Sequence, residues 1–550
     1  MIHPQITQIF CESAKSVDSK QLMDTKKRLW LVYVLFILLA LGFRLFIALR
    51  LPNDEPDDGR VYSLIARNVI EQHVYSHDSQ PPYGPSLIRL PGYPFFLVAV
   101  YKVFGVGNNT AVRVIQAVID TATCVLVALI AFQWAVDEER KRRAALIALG
   151  LAAVCPFTAI YVATILTEVF TNFLAAAMVL STTLAFKAIT RKRALVWWIV
   201  TGLLAGLVVL FRPDAGLFAA AIGSTLILSA LPSLRRIREA ILYAAVFSIA
   251  FCIVLVPWTI RNRRVFHVFQ PLAPAHAEMP GEFVPRGYLL WVRTWLADER
   301  YVAPALWAMD TKRMSVDDFP DSAFDSDEER DRVAALLNKY NHPDEEESTE
   351  EEQSSADDDD QNQDEEEGSN EEEQQPEQPE QPEEVNVELT PEIDAGFAQI
   401  GQERVARARL RYYIILPLKR AATLWFDTHS QYYPFNGELL PLDDLDYDIH
   451  QQYWLPLFTA LTWIYTLLGL IGGLLLWRSR DRNARRWLLL AALLIFLRLG
   501  FFASLENPEP RYTVEFFPFL AVLAGAGVAM FRGFRASAKE TQPDAAPTAE

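Results

Sequence analysis

An all-α protein that crosses a bilayer about ten times is the fold class this sequence predicts, on three observations. Apolar runs of roughly 20 residues, the length needed to span hydrocarbon, recur along most of the chain. Of the 550 residues 51% are hydrophobic, with 33 Phe, 19 Tyr and 13 Trp. Lys and Arg gather in the short gaps between alternate runs, as they do on the cytoplasmic side of membrane proteins.

The first run, "LWLVYVLFILLALGFRLFIALRL", follows some 27 polar residues and is itself full length, so it reads as a span and not as a cleavable leader. Spans are predicted at 28–50, 111–135, 144–163, 168–188, 195–211, 214–231, 240–260, 454–477, 487–504 and 512–531. If these alternate, "KKR", "DEERKRR", "TRKR", "LRRIRE", "WRSRDRNARR" and "FRGFRASAK" all fall on one face. Both ends, 1–27 and 532–550, then lie in the cytoplasm, and the protein is placed in the inner (plasma) membrane as a multi-pass chain. The opposite face receives 51–110, the turns near 164–168 and 212–214, the long segment 261–453, and "ENPEPRY". Residues 92–105, "GYPFFLVAVYKVFG", are apolar but too short to cross, and are expected as a helix at the outer surface.

Within 261–453, residues 282–312 and 396–425 have helical spacing of aromatic and basic residues and are expected to rest on the membrane. Between them, residues 344–384 hold 22 Asp and Glu and no Lys or Arg. Like charges with nothing apolar to bury cannot offset the entropy of ordering, so this acidic insert is predicted to be disordered. It also explains the net charge of −17, since the rest of the chain has 51 basic against 46 acidic residues. A solvated spacer is the better account of the tract than loose binding of a divalent cation, because it lacks the spaced glycine of a defined loop. The four cysteines form no metal or disulfide pattern; Cys124, Cys155 and Cys252, inside apolar runs, read as small buried hydrophobes. The histidines show no paired spacing, so no metal or other cofactor is assigned, and no nucleic-acid partner is expected.

Charges are costly near membrane depth, and here they cluster at the outer ends of spans. Asp57, Asp58 and Tyr62 follow the first span, and Arg89 precedes the short surface helix that contains Tyr93. Glu168 begins the fourth span, Arg212 closes the fifth, Arg261 closes the seventh in "PWTIRNRR", and Arg511 opens the tenth. Arginines at an outer lipid surface suit a phosphate, which the planar guanidinium binds with two parallel hydrogen bonds. Each also has a plainer reading. The aspartates can cap the following helix, Glu168 can pair with an arginine, and Arg212 can reach for headgroups.

Taken in order, "DDGRVYSLIARNV", "RLPGYPFFLVAVYKVFG", "TILTE", "LFRPD", "PWTIRN" and "EPRYTVEFFPFLAVL" resemble bacterial GT-C glycosyltransferases of the PMT type, which include protein O-mannosyltransferases and the aminoarabinose transferase. The likeness covers roughly 28–270 and 400–531; the acidic insert departs from it. It implies a multispan enzyme that takes a sugar from a polyprenyl-phosphate donor outside the cytoplasm and gives it to a lipid, glycan or protein acceptor. On that pattern Asp58 is the base, with Asp57 its less favoured neighbour. Arg89, Arg261, Arg511 and Arg212 bind phosphate, and Tyr62 and Tyr93 position substrate, with Glu168 also in the site. One carboxylate suffices for inverting displacement, because phosphate leaves as an anion already stabilised and only the acceptor needs a proton acceptor. The alternative is a polytopic transporter or lipid-linked sugar flippase. Transporters place charge near the bilayer midplane, and here only Arg44, Asp120 and Arg498 interrupt the spans.

Overall fold

The computed structural model describes residues 30–50, 57–137, 140–274, 278–309, 311–343, 387–427, 447–479 and 481–529. The acidic insert and both terminal tails lie outside the described residues, as do the side chains of Asp57 and of 447–455.

Among the described residues the protein is helical throughout, with nine helices long and apolar enough to cross a membrane. The chain runs through α1 (Trp30–Arg50), α2 (Asp57–Glu71), α3 (Gly92–Phe104), α4 (Asn109–Trp134), α5 (Lys141–Ala153), α6 (Pro156–Ala159), α7 (Glu168–Lys187), α8 (Arg191–Phe211), α9 (Gly216–Ala230) and α10 (Leu234–Phe266). It continues as α11 (Arg286–Arg293), α12 (Asp327–Asn341), α13 (Pro391–Arg407), α14 (Leu416–Phe426), α15 (Tyr447–Arg478), α16 (Arg482–Ala503) and α17 (Phe516–Val528).

A tenth span results if α5 and the short turns up to Val162, bent by 55° at a break between them, count as one. Pro156 lacks an N–H and cannot continue the ladder, so carbonyls in the last turn of α5 lose their helical partners. Arg44 of α1 supplies them, donating to Ala153 O at 2.9 Å and to Ala152 O at 3.1 Å. Its charge is balanced by Asp120 of α4 at 2.6 Å, with both side chains essentially unexposed. Two of the charges that interrupt the predicted spans are thus a structural clamp on a broken helix.

Two compact units make up the chain. The first comprises 1–280, 428–499 and 511–550, and the second 281–427 with 500–510. In the first, α8 packs between α7 and α10, while α17 packs against α4, α5 and α15. Small residues permit the closest crossing. A Cβ on Gly472 would lie 2.1 Å from Leu523 O, and one on Gly527 would lie 2.1 Å from Gly472 O. Close backbone approach through glycine is the usual means of packing helices in lipid, where apolar burial gives no driving force between them. The short apolar helix α3 forms as expected, with Phe95, Val103 and Phe104 exposed on one side. Tyr93, Leu97, Val98, Val100 and Tyr101 are buried, because α3 packs on α2 and α8.

The second unit has its own core of Tyr288, Trp291, Trp295, Phe319, Tyr340 and Phe397, where α11 crosses α13. This corrects the expectation for 282–312. Tyr288, Trp291 and Trp295 face inward, Phe283 stays exposed, and only Arg286–Arg293 forms a regular α-helix. Cys124 and Cys155 are buried as predicted, but Cys252 is exposed on α10.

Candidate active site

The first polar turn after α1 leads into α2, and Asp58 stands in its first turn, where a helix N-terminus favours negative charge. The fold brings two distant arginines to it. Arg89 Nη2 lies 2.8 Å from Asp58 Oδ1, and Arg511 Nη1 lies 3.3 Å from Oδ2. Arg89 comes from the loop before α3 and Arg511 from the turn before α17, 453 positions from Asp58. The Asp58 side chain is 27% exposed, so it is partly covered yet reachable. Burial disfavours its charge, but Arg511 and Arg89 outweigh that and hold the carboxyl below the usual aspartate range. It is therefore ionised at neutral pH.

Tyr62, one turn along α2, meets Tyr93 edge to face with ring centres 5.1 Å apart. Burial, then the Asp58 charge, pushes the Tyr62 phenol above its ordinary range, so it stays protonated. Tyr93 is fully buried and donates to Gln116 Oε1 at 2.7 Å, and the Gln116 amide is in turn fixed by Val162 O and Thr164 O. Tyr93 thus supports Tyr62 from behind and is itself closed to solvent. Asp57 begins α2, with its side chain outside the described residues.

Arg261 sits at a neighbouring position. Its guanidinium lies 4.8 Å from the Trp258 ring, 5.3 Å from Tyr75 and 5.1 Å from Phe266. It donates to Ser86 O and Asn262 Oδ1, and no carboxylate pairs with it among the described residues. The loop that carries Ser86 also carries Arg89, whose carbonyl accepts from Tyr75. Arg261 is therefore bonded to the loop that carries Arg89, and Tyr75 contacts both, its ring beside Arg261 and its hydroxyl on the Arg89 carbonyl. A cation stacked among rings, with no carboxylate paired to it among the described residues, is open to an anion.

Glu168 and Arg212 fall elsewhere, in a buried network. Arg212 Nη1 is 2.8 Å from Glu168 Oε1, and its Nε is 3.2 Å from Asp214. Arg498 contacts Asp214 and lies 3.1 Å from Glu515. Glu168 and Arg212 are 2% and 9% exposed, so they are closed to a substrate, and the network locks together the ends of α7, α8, α16 and α17. Asp214, Arg498 and Glu515 were not among the predicted site residues. The signal was there in charges set within "RPDAGLF", "IFLRLGF" and "YTVEFFP". One ring joins the network to the outer site: Tyr512 lies beneath both Arg212, at 5.6 Å, and Arg511, at 5.1 Å. Among the described residues no group of three or more His, Cys, Asp or Glu is placed to hold a metal ion.

Residues 84–259 match the family model described as dolichyl-phosphate-mannose-protein mannosyltransferase. That segment, about a third of the chain, is similar to PMT-type glycosyltransferases. The matched segment holds Arg89, Tyr93, Glu168 and Arg212, and leaves Asp58, Arg261 and Arg511 outside it. The matched segment lies within the longer stretch over which the ordered motifs carry that resemblance. No curated protein matches the chain. Among solved structures, the Archaeoglobus fulgidus oligosaccharyltransferase tethered with an acceptor peptide is 13% identical with a TM-score of 0.44, over 92% of this chain and 49% of that one. ArnT from Cupriavidus metallidurans bound to undecaprenyl phosphate is 14% identical with a TM-score of 0.36, over 90% and 77%. The chain thus spans about half the length of the archaeal protein.

Proposed function

We propose that this PMT-type protein is a membrane glycosyltransferase that moves a sugar from a polyprenyl-phosphate donor to an acceptor on the extracytoplasmic face of the plasma membrane. The observation that carries the reading is the grouping of one ionised aspartate with two arginines, beside a third arginine that pairs with no carboxylate among the described residues. Arg261 is the first contact for the donor phosphate. Arg89 and Arg511 then divide their guanidinium groups between that phosphate and Asp58.

In the transfer step the acceptor oxygen or nitrogen bonds to the anomeric carbon as the carbon–phosphate oxygen bond breaks, which inverts the sugar. The leaving polyprenyl phosphate carries off the electron pair as an anion stabilised by guanidinium groups, so no acid is required on that side. The acceptor proton passes to Asp58. A carboxylate held below its usual pKa is a weak base, and here that is sufficient. The acceptor atom becomes strongly acidic once its bond to carbon has formed, so proton transfer comes late. Tyr62, kept protonated, is a hydrogen-bond donor beside the same carboxylate.

Reconstitution with a polyprenyl-phosphate sugar tests the phosphate assignment. The Arg261→Gln variant is expected to raise the donor KM by about tenfold or more, the size of one lost charge-assisted contact, and Arg261→Lys to recover part of it. Sugar-lipid translocation in liposomes without any acceptor, at the wild-type rate in every variant, would instead support the transporter reading.

A further inference from the structure

The second unit carries a pocket that the transfer reading does not use. Residues 411–426 form one helical run, a wide π-helical turn over Arg411–Ile415 that continues into α14. The run and the residue before it divide into two faces. Leu410, Tyr413, Ile414 and Leu418, spaced i, i+3, i+4 and i+8, remain between 51% and 66% exposed. An apolar strip of that length left bare in a membrane-spanning chain is a surface for lipid, in the manner of an interfacial helix. Arg411, Ile415 and Lys419, four residues apart, line instead a pocket of about 560 Å³ whose opposite wall includes Trp295, Asp298 and Tyr301.

The charges in this pocket do not cancel. Arg411 is paired with Asp325 at 3.0 Å, and Asp298 is taken by Arg300. The Lys419 ammonium has no ion pair and the Tyr301 hydroxyl no hydrogen bond among the described residues. An uncompensated cation and a neutral donor therefore line a cavity beside a bare apolar strip. We propose that the pocket seats the anionic headgroup of a membrane lipid. The phosphate lies against Lys419 and Tyr301, with Arg411 at the rim and the lipid chains along Leu410, Ile414 and Leu418. Neutral headgroups would leave the ammonium unmatched, and a water-soluble phosphate would leave the strip bare. The site shares no residue with the Asp58 cluster and stands whether or not that cluster transfers sugar.

Native mass spectrometry of the full-length protein in neutral detergent tests this, with short-chain phosphatidylglycerol, short-chain phosphatidylcholine and glycerol phosphate as probes. One basic residue near an anionic lipid is worth about fivefold in affinity. Phosphatidylglycerol is expected to bind more tightly than phosphatidylcholine, with a loss of about that size in Lys419→Gln. Because Lys419 is exposed and makes no ion pair, an unchanged thermal midpoint separates this loss from misfolding. Leu418→Ser is expected to weaken phosphatidylglycerol and leave glycerol phosphate unaffected. Equal binding of phosphatidylglycerol by wild type and Lys419→Gln overturns the proposal. Glycerol phosphate held as tightly as the lipid overturns its lipid half and leaves a phosphate pocket.

Discussion

Asp58 owes its charge state to neighbours it meets only after the whole chain has folded. Its carboxyl is held low by Arg511 and Arg89 against the effect of burial, so the ionised form persists to more acid pH than in a free aspartate. The sign follows directly. A depressed carboxyl pKa preserves the charged state above it, and function is lost as pH falls through it. Activity that depends on ionised Asp58 is therefore expected to show its acid limb below the ordinary aspartate value. Arg511→Gln is expected to move that limb to higher pH, which a pH–rate profile of the two proteins reads directly. Residue types and order were legible in the sequence, because charges that interrupt apolar runs are few and costly. Their pairing was not, since the Asp58–Arg511 contact joins positions 453 apart. Nor could spacing separate Arg212 from Arg261. Both end a span in the sequence, and only packing shows the first to be sealed beside Glu168 and the second open among aromatic rings.

At the scale of elements, hydropathy was enough to find the spans, because the length of a run is set by the thickness of hydrocarbon. Arg44, Asp120 and Arg498 read in sequence as blemishes in those spans, and they are cross-braces between helices. Removing one partner strands the others without water. Arg498→Met is therefore expected to destabilise the folded state by about 3–5 kcal/mol, measured by denaturant unfolding in detergent. A glycine crossing makes a similar demand. With Leu523 O only 2.1 Å from a Cβ at Gly472, Gly472→Val is expected to push α15 from α17 and lower the thermal midpoint markedly. Gly500→Ala, which has open space around it, should leave it nearly unchanged. The short helices of the second unit were poorly legible for a different reason. Their aromatic residues have the same spacing whether they face a membrane or a private core, and Trp291 and Phe397 chose the core.

Across the whole molecule, a rigid helical bundle holds a small polar cluster at one end of its spans, and a second unit adds a separate core. The proposed reaction uses lipid-linked sugars outside the cytoplasm, the side to which the positive charge of the alternate connections is expected to assign that polar end. Apart from Ala356 and three prolines, the acidic tract at 344–384 has no apolar side chain, so a chain lacking it is expected to keep most of its transfer activity in membranes. The account as a whole rests on Asp58 receiving the acceptor proton. Its most direct test is single-turnover transfer from a labelled polyprenyl-phosphate sugar by reconstituted wild type and Asp58→Asn, with donor binding measured alongside. Asp58→Asn is expected to bind the donor as wild type does and to transfer its sugar at least about a hundredfold more slowly. Transfer at the wild-type rate by a variant that has lost this carboxylate would contradict it.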